Sequence, residues 1–415
     1  MSGANTPRSW NTHALLTRAA LRSVFEPRLE ETVEVVGIEE FLLRANRDFL
    51  EIIEEYNRRI GLHAGMPFKT SSSESHMATS DQFLTALKLN PSIAFNYVRA
   101  LSPDEIPPET PHDPSRNGPP GGMYVPLPEG EATTGSEVLI TFSDEPDWGM
   151  DQDLYPIREY GYGQAPFGQE TGKTSQAPFH MTFLHENPIV TTIIPDIRKS
   201  FMEERIRVFF ALARTAFAHG VNYWGWRFTA WAMHYLQDLT QPYHAKPYPP
   251  ALAPVWRRLA MSRDLRGFIA KLGNYLKNHH LLFEAAVHFI INEVAKKPQD
   301  HPFLRALEGS GKTGQKLLVK VMHDSSRFPA RIATTVDREM TNVMNVPRIE
   351  DIDYSLEDDS AYRIAPEIVK AAQKRPEQLD RFIHIVSDCL LETGNVTRYA
   401  IQIATCSNSK GEKFL

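Results

Sequence analysis

Trp231-Ala-Met-His234-Tyr-Leu-Gln-Asp238-Leu-Thr-Gln-Pro242-Tyr-His244 reads as the end of a helix followed by a sharp turn. His234 and Asp238 stand one helical turn apart and project from the same face, so an imidazole and a carboxylate can share a metal there. Pro242 ends the helix and lets His244 fold back toward that face. Taken alone, a His/Asp pair at this spacing is more often a solvated or hydrogen-bonded helix surface. The apolar run of Trp231, Ala232, Met233, Tyr235 and Leu236 around it argues against plain exposure.

Outward from this stretch, helical periodicity dominates. Ile38, Phe41, Leu42, Phe49, Ile52, Ile53 and Tyr56 mark one apolar stripe, and Phe201 to Phe217 another. Further helices are expected over Arg205 to Leu239, Leu265 to Val294 and Pro376 to Ile403, the last with Phe382, Ile383, Val386 and Leu390 on one face. The fold class is therefore all-α. Length alone leaves one large domain or two ordinary ones open. Ser102 to Gly130 carries nine prolines and the run Gly118-Pro119-Pro120-Gly121-Gly122, which excludes helix and central strand and marks residues 102–130 as a surface insertion. Val138 to Phe142 reads as a short strand, and Gly161 to Gln176 as loop. Asp324 to Arg327 and Glu357 to Asp359 read as solvated loops. The regular short strands of a C-terminal β-sandwich are missing from the pattern.

Composition narrows the chemistry. The chain has 415 residues, 42% of them hydrophobic, enough to bury a substantial core. Its 45 basic and 51 acidic residues leave a formal net charge of −6, so no global positive field is available for a nucleic-acid backbone. Only Cys389 and Cys406 are present, too few for a disulfide framework or a thiolate cluster, so any metal must be held by His and carboxylate. No ordinary secretory signal is evident from Met1 to Phe25, and no apolar stretch approaches the ~18 residues of a membrane span. This leaves the destination open between a cytoplasmic chain and one exported by another route.

Other residues extend the metal-ligand set. His280 and Glu284 form a second pair one turn apart, in a segment where His279 and His288 make histidine common and a surface ion pair the plainer explanation. Asn11-Thr12-His13 precedes an apolar run, so Thr12 or Asn11 can cap a helix bearing His13 in its first turn. Asp147, in Glu-Pro-Asp-Trp, and His180, in Pro-Phe-His-Met, lie in loop-like sequence with Asp144, Asp151 and His185 as close competitors. Two phosphate-loop look-alikes fail: Ala306 and Phe167 stand where Gly311-Lys312-Thr313 and Gly172-Lys173-Thr174 need their first glycine.

In order and spacing these elements resemble the zinc-dependent phospholipase C and P1-type nuclease superfamily, from about Trp10 to Glu284. Trp10-Asn-Thr-His13 resembles the family's amino-terminal Trp and ligand His, Glu145-Pro-Asp147 and Phe179-His180 its next Asp and His, and His234, Asp238 and His244 its most specific motif. His280 and Glu284 resemble its closing pair. The resemblance implies a single large helical domain over residues 10–405, with 1–9 an N-terminal extension and 406–415 a C-terminal tail. It also implies three zinc ions in one cleft. Asp147, His180, His234 and Asp238 would hold the first, and His244, His280 and Glu284 the second. His13, a bridging Asp238 and the backbone of Trp10 would hold the third. In the family that Trp is the free N-terminus, whereas nine residues precede Trp10 here. Either the chain is trimmed after Ser9 or the third zinc is held without the amine.

The resemblance implies a phosphodiesterase. Glu284 as the closing ligand is closer to the phospholipase C branch, and the acidic net charge and the Trp224, Trp226 and Trp231 cluster point the same way, although such a cluster is more often core. The expected activity is hydrolysis of phospholipid at a membrane or micelle surface to diacylglycerol and a phosphorylated head group, with Asp147 as the catalytic base that orients water. A P1-type nuclease acting on single-stranded nucleic acid is the alternative, which the charge disfavours. A non-catalytic zinc- or membrane-binding protein is the alternative of another class.

Overall fold

A computed structural model describes residues 12–63, 78–106, 119, 122–162, 177–193, 195–246, 265–296, 300–310, 317–349, 351, 353–356 and 358–406. The described residues are predominantly helical, as the apolar periodicity requires. Before the central helices come α1 (Thr12–Leu21), α2 (Ile38–His63), α3 (Ser80–Ala86), α4 (Gly135–Phe142), α5 (Ala177–His180) and α6 (Pro188–Ile193). Then follow α7 (Met202–Ala218), α8 (Asn222–Asp238) and α9 (Pro242–Ala245). The C-terminal part is α10 (Leu265–Lys296), α11 (Pro302–Leu307), α12 (Leu318–Met344), α13 (Asp358–Ala372) and α14 (Pro376–Thr405).

Helix α8 is the axis. Every residue from Tyr223 to Asp238 is buried, so this helix is enclosed on all sides rather than amphipathic. Trp224, Trp226 and Trp231 are core side chains, at most 1% exposed, and give no support to a lipid contact. Helices α7, α4 and α14 pack around α8. The α4 crossing is close: a Cβ at Gly135 would run into the indole of Trp226.

Two expectations change. The single helix over Arg205 to Leu239 is two, α7 and α8. The break is a Schellman turn in which Val221 N–H donates to Ala216 O (2.9 Å) and Gly220 N–H to Phe217 O (3.2 Å), with Gly220 at φ +71°. Val138 to Phe142 is not a strand but the body of α4, started by Thr134, whose hydroxyl accepts from Glu137 N–H. A short apolar run carries no period of its own, and the cap decided it.

Strand content is slight. β1 (Thr32–Glu34) pairs antiparallel with β4 (Ala132–Thr134), and β2 (Val98–Ala100) with β3 (Tyr124–Pro126). The Pro-rich insertion thus ends in an edge strand, with Pro126 opposite Val98 at its margin. Asp324 to Arg327 is not loop: it lies within α12, with Ser325 and Ser326 buried. Residue 357 lies outside the described residues, and α13 begins at Asp358. Beyond Leu265 the described elements are all helical, packed through a second apolar cluster that includes Leu282, Phe303, Val336 and Phe382. No helix among the described residues is long and apolar enough to cross a membrane.

Candidate metal centre

Six elements bring His and carboxylate side chains to the C-terminal end of α8. His234 and Asp238 come from α8 itself, His13 from the first turn of α1, Asp147 from the one-turn helix Glu145–Trp148, and His180 from the end of α5. His244 stands on α9, which Pro242 opens and Gln241 caps by accepting from Tyr243 N–H and His244 N–H. His280 and Glu284 follow on α10.

Three sets of these side chains bring ligand atoms within 4.8 Å of one another: His13, His234 and Asp238; Asp147, His180 and His234; and His244, His280 and Glu284. Each set can hold a metal ion. Around His234 Nε2, the distances are 3.0 Å to His180 Nδ1, 3.3 Å to Asp238 Oδ2 and 3.6 Å to Asp147 Oδ1. His180 Nδ1 is in turn 3.0 Å from Asp238 Oδ2 and 3.6 Å from Asp147 Oδ1. A tetrahedral ion with bonds of about 2.0–2.1 Å spaces its ligand atoms about 3.3–3.4 Å apart, which these distances bracket. In the third set His244 Nε2, His280 Nε2 and Glu284 Oε1 lie 2.8–3.4 Å apart. Two imidazole nitrogens facing each other at hydrogen-bond distance need a proton or another cation between them.

Asp238 divides its oxygens. Oδ2 faces His180 and His234, while Oδ1 lies 3.6 Å from His13 Nε2 and 3.0 Å from His244 Nδ1. One carboxylate thus touches every set, and the sets form a continuous row.

The far nitrogens of the imidazoles set their orientation. His234 Nδ1 is 2.7 Å from the Ser143 carbonyl, and His13 Nδ1 is 2.8 Å from Gln237 Oε1. Each must donate there, which leaves Nε2 as the lone pair aimed at the row. Gln237 is itself fixed, since its Nε2 donates to Thr17 and Thr397 hydroxyls at 3.0 and 2.9 Å. His180 turns Nε2 toward Asp151 Oδ2 at 3.4 Å. Asp151 accepts from Arg205 Nη2 at 2.6 Å and from the Tyr235 hydroxyl at 2.6 Å. Glu145 anchors the turn that carries Asp147: Arg227 Nε donates to it at 2.8 Å and Trp231 Nε1 at 2.7 Å, and the guanidinium carbon lies 3.9 Å from the centre of the Phe142 ring.

Electrostatics mark the row as short of positive charge. Burial disfavours a charged His180, yet Asp151, Asp238 and Asp147 outweigh it and hold the imidazole up at about 10. Burial is likewise overridden at His244, which Asp238 and Glu284 raise to about 9. Asp238 and Glu284 are held low against burial, mainly by His234 and His244 for the first and by His280 for the second. His13 goes the other way: burial and then the neighbouring His234 lower it to about 4, so it stays a neutral donor. Protons on His180 and His244 thus occupy places that a divalent cation would take.

Comparisons with protein-family models, curated proteins and solved structures return no match. The site therefore stands on its geometry. Of the residues singled out in the sequence, His13, Asp147, His180, His234, Asp238, His244, His280 and Glu284 meet in the row, and Trp10 lies outside the described residues. The competitors have other tasks. Asp144 accepts from the N–H groups of His13 (2.8 Å) and Ala14 (3.2 Å) and from the Tyr124 hydroxyl, and so caps α1. Asp151 supports His180, and His185 is bound to α12 through Ser326 Oγ at 3.0 Å. His279 pairs with Asp337 at 2.6 Å and His288 with Thr12 at 2.9 Å. No local pattern in the sequence announces Gln237, Gln241 or the Ser143 carbonyl, whose role is to aim another residue.

Proposed function

We propose that this chain is a zinc-dependent phosphodiesterase of the phospholipase C type, a member of the superfamily it resembles, hydrolysing the glycerol–phosphate ester of phospholipids. The observation that carries the reading is the row of ligand sets joined by the split carboxylate of Asp238. All-N/O donors at tetrahedral spacing suit zinc, and closely spaced ions suit a phosphoryl group with charge on several oxygens. Bound there, such ions supply Lewis-acid neutralisation of the phosphate and acidify water toward a pKa of about 7.

The chain's own residues do the rest. Asp238 would serve as a ligand on both sides of the row, Oδ2 toward His180 and His234 and Oδ1 toward His13 and His244. Asp147 is the most open ligand of its set, at 25% side-chain exposure against 0–6% for His234, Asp238 and His180. In this reading it orients the attacking water and takes its proton as the water oxygen bonds to phosphorus, while the glycerol oxygen leaves and is protonated from solvent to give diacylglycerol. Phospholipid rather than nucleic acid is favoured because the buried cations Arg205 and Arg227 are committed to Asp151 and Glu145. The acidic net charge adds no attraction for a polyanion.

The test is release of water-soluble phosphate ester from mixed phospholipid vesicles, with single-stranded DNA and RNA in parallel and chelation as control. Chelator-sensitive head-group release is expected, and nucleotide release with intact lipid moves the chain to the nuclease branch. Asp147→Asn should slow turnover by about 10²–10⁴-fold at full metal content. An unaltered rate at full metal content removes Asp147 from that role.

A further inference from the structure

We propose that Leu184, Ile189, Leu317 and Val319, with the cations Lys320 and Arg327, form a docking surface for an anionic phospholipid bilayer beside the row of candidate metal ligands. The inference rests on the phospholipase reading for its purpose but on separate residues for its evidence. Four of the six large hydrophobic side chains that stand exposed among the described residues are these four. They fall on two segments, the stretch from α5 into α6 and the start of α12.

His185 stitches those segments together. Its Nε2 lies 3.1 Å from the His323 carbonyl and 3.0 Å from Ser326 Oγ, and its ring centre is 4.7 Å from that of His323. Leu184 is its chain neighbour, and Val319 stands one turn before His323 on the same helix. The surface also adjoins the ligand row. Leu184 lies four residues beyond His180, within about 14 Å of chain, and between them Thr182 N–H donates to the His244 carbonyl at 3.1 Å.

Charge selects the occupant. On a chain with a formal net charge of −6 an anionic bilayer would be repelled in general, yet over 184–199 and 317–327 the cations Arg198, Lys199, Lys320 and Arg327 outnumber the carboxylates Glu186, Asp196 and Asp324. Lys320 and Arg327 are exposed, Asp324 is the one carboxylate between Leu317 and Arg327, and Glu186 is buried. Arg198 and Lys199 are exposed at the far end of the first segment. Exposed aliphatic side chains with flanking Lys and Arg are the chemistry of interfacial insertion, in which apolar groups enter the acyl boundary and cations meet phosphate.

The experiment is co-sedimentation of the full chain with phosphatidylcholine vesicles, with and without phosphatidylserine. The chain should sediment with the phosphatidylserine vesicles and be released by salt. Lys320→Glu with Arg327→Glu should weaken that binding by about thirtyfold or more, and Leu184→Ser with Val319→Ser by about tenfold. Leu43→Ser, which alters a still more exposed leucine on α2, should change nothing. Absence of sedimentation, wild-type binding by the paired variants, or equal weakening by Leu43→Ser overturns the proposal. The same proteins are assayed on bis-para-nitrophenyl phosphate, which needs no membrane. Vesicle binding without chelator-sensitive hydrolysis leaves the docking surface and removes the phosphodiesterase; hydrolysis without binding does the reverse.

Discussion

The two ends of the ligand row are built differently. At the inner end His180, His234 and Asp238 are nearly inaccessible, Asp147 alone reaching 25% exposure, and each imidazole is aimed by a group that is itself fixed: Asp151 on Arg205 and Tyr235 for His180, the Ser143 carbonyl for His234. At the outer end His280 and Glu284 are 17% and 26% exposed, and the visible supports are the Gln241 amide at 3.3 Å from Glu284 and the Tyr243 ring stacked beside His280. The inner end grows out of the aromatic core around α8, whereas the outer end spans the short helix α9 and α10. Rigidity of a metal site is thus inherited from the core that carries it, and the two ends should differ in affinity and in how mutations reach them.

The largest effect should come from beneath the inner end. Glu145→Ala strands the buried Arg227 without its partner, which should cost about 3–5 kcal/mol of stability in urea titration. A loss under about 1 kcal/mol would mean that the pair does not anchor the Asp147 turn. Asp151→Asn keeps the shape but weakens the hold on His180 and leaves the buried Arg205 without its counter-charge, so stability should fall too, and in the folded protein inner metal affinity should fall about 10–100-fold with outer affinity unchanged. Equal losses at both ends would dissolve the distinction. Gln241→Ala should do the converse, lowering affinity only for the ion that leaves first under stepwise chelation, by roughly tenfold.

A separate effect is that of pH on the metal-free chain. His180 and His244, raised to about 10 and about 9 against roughly 6.5 when unfolded, bind more protons folded than unfolded between those values. Their contribution is complete below about pH 6.5 and is lost as pH rises through about 9–10. The urea midpoint of chelated protein should therefore fall across that window. Added metal should release protons throughout it, as calorimetry in buffers of different ionisation heat would read. A midpoint that rises with pH would show that these imidazoles are neutral without metal.

What could be read from the sequence follows the same divide between local and tertiary causes. His234 and Asp238 were legible because helical period alone puts them on one face, and His244 because Pro242 stops the helix there. His280 and Glu284 had the same period, in a helix whose length was also legible. Choosing Asp147 over Asp144 or Asp151, or His180 over His185, was beyond local pattern: Asp144 caps α1 and Asp151 lies on Arg205, both decided by contacts between distant segments. The break at Gly220 was in the sequence as a glycine just past an apolar run, yet helix-forming residues on both sides concealed it. Val138 to Phe142 was too short for its period to decide between helix and strand.

The measurement that bears most directly on the account is the metal content of the purified chain, beside that of His234→Asn and His280→Asn. The account predicts more than one zinc ion per chain, with His280→Asn losing only the ion that stepwise chelation removes first and His234→Asn losing the tightly held one. A chain that binds no divalent metal, or loses all of it equally in either variant, would contradict it.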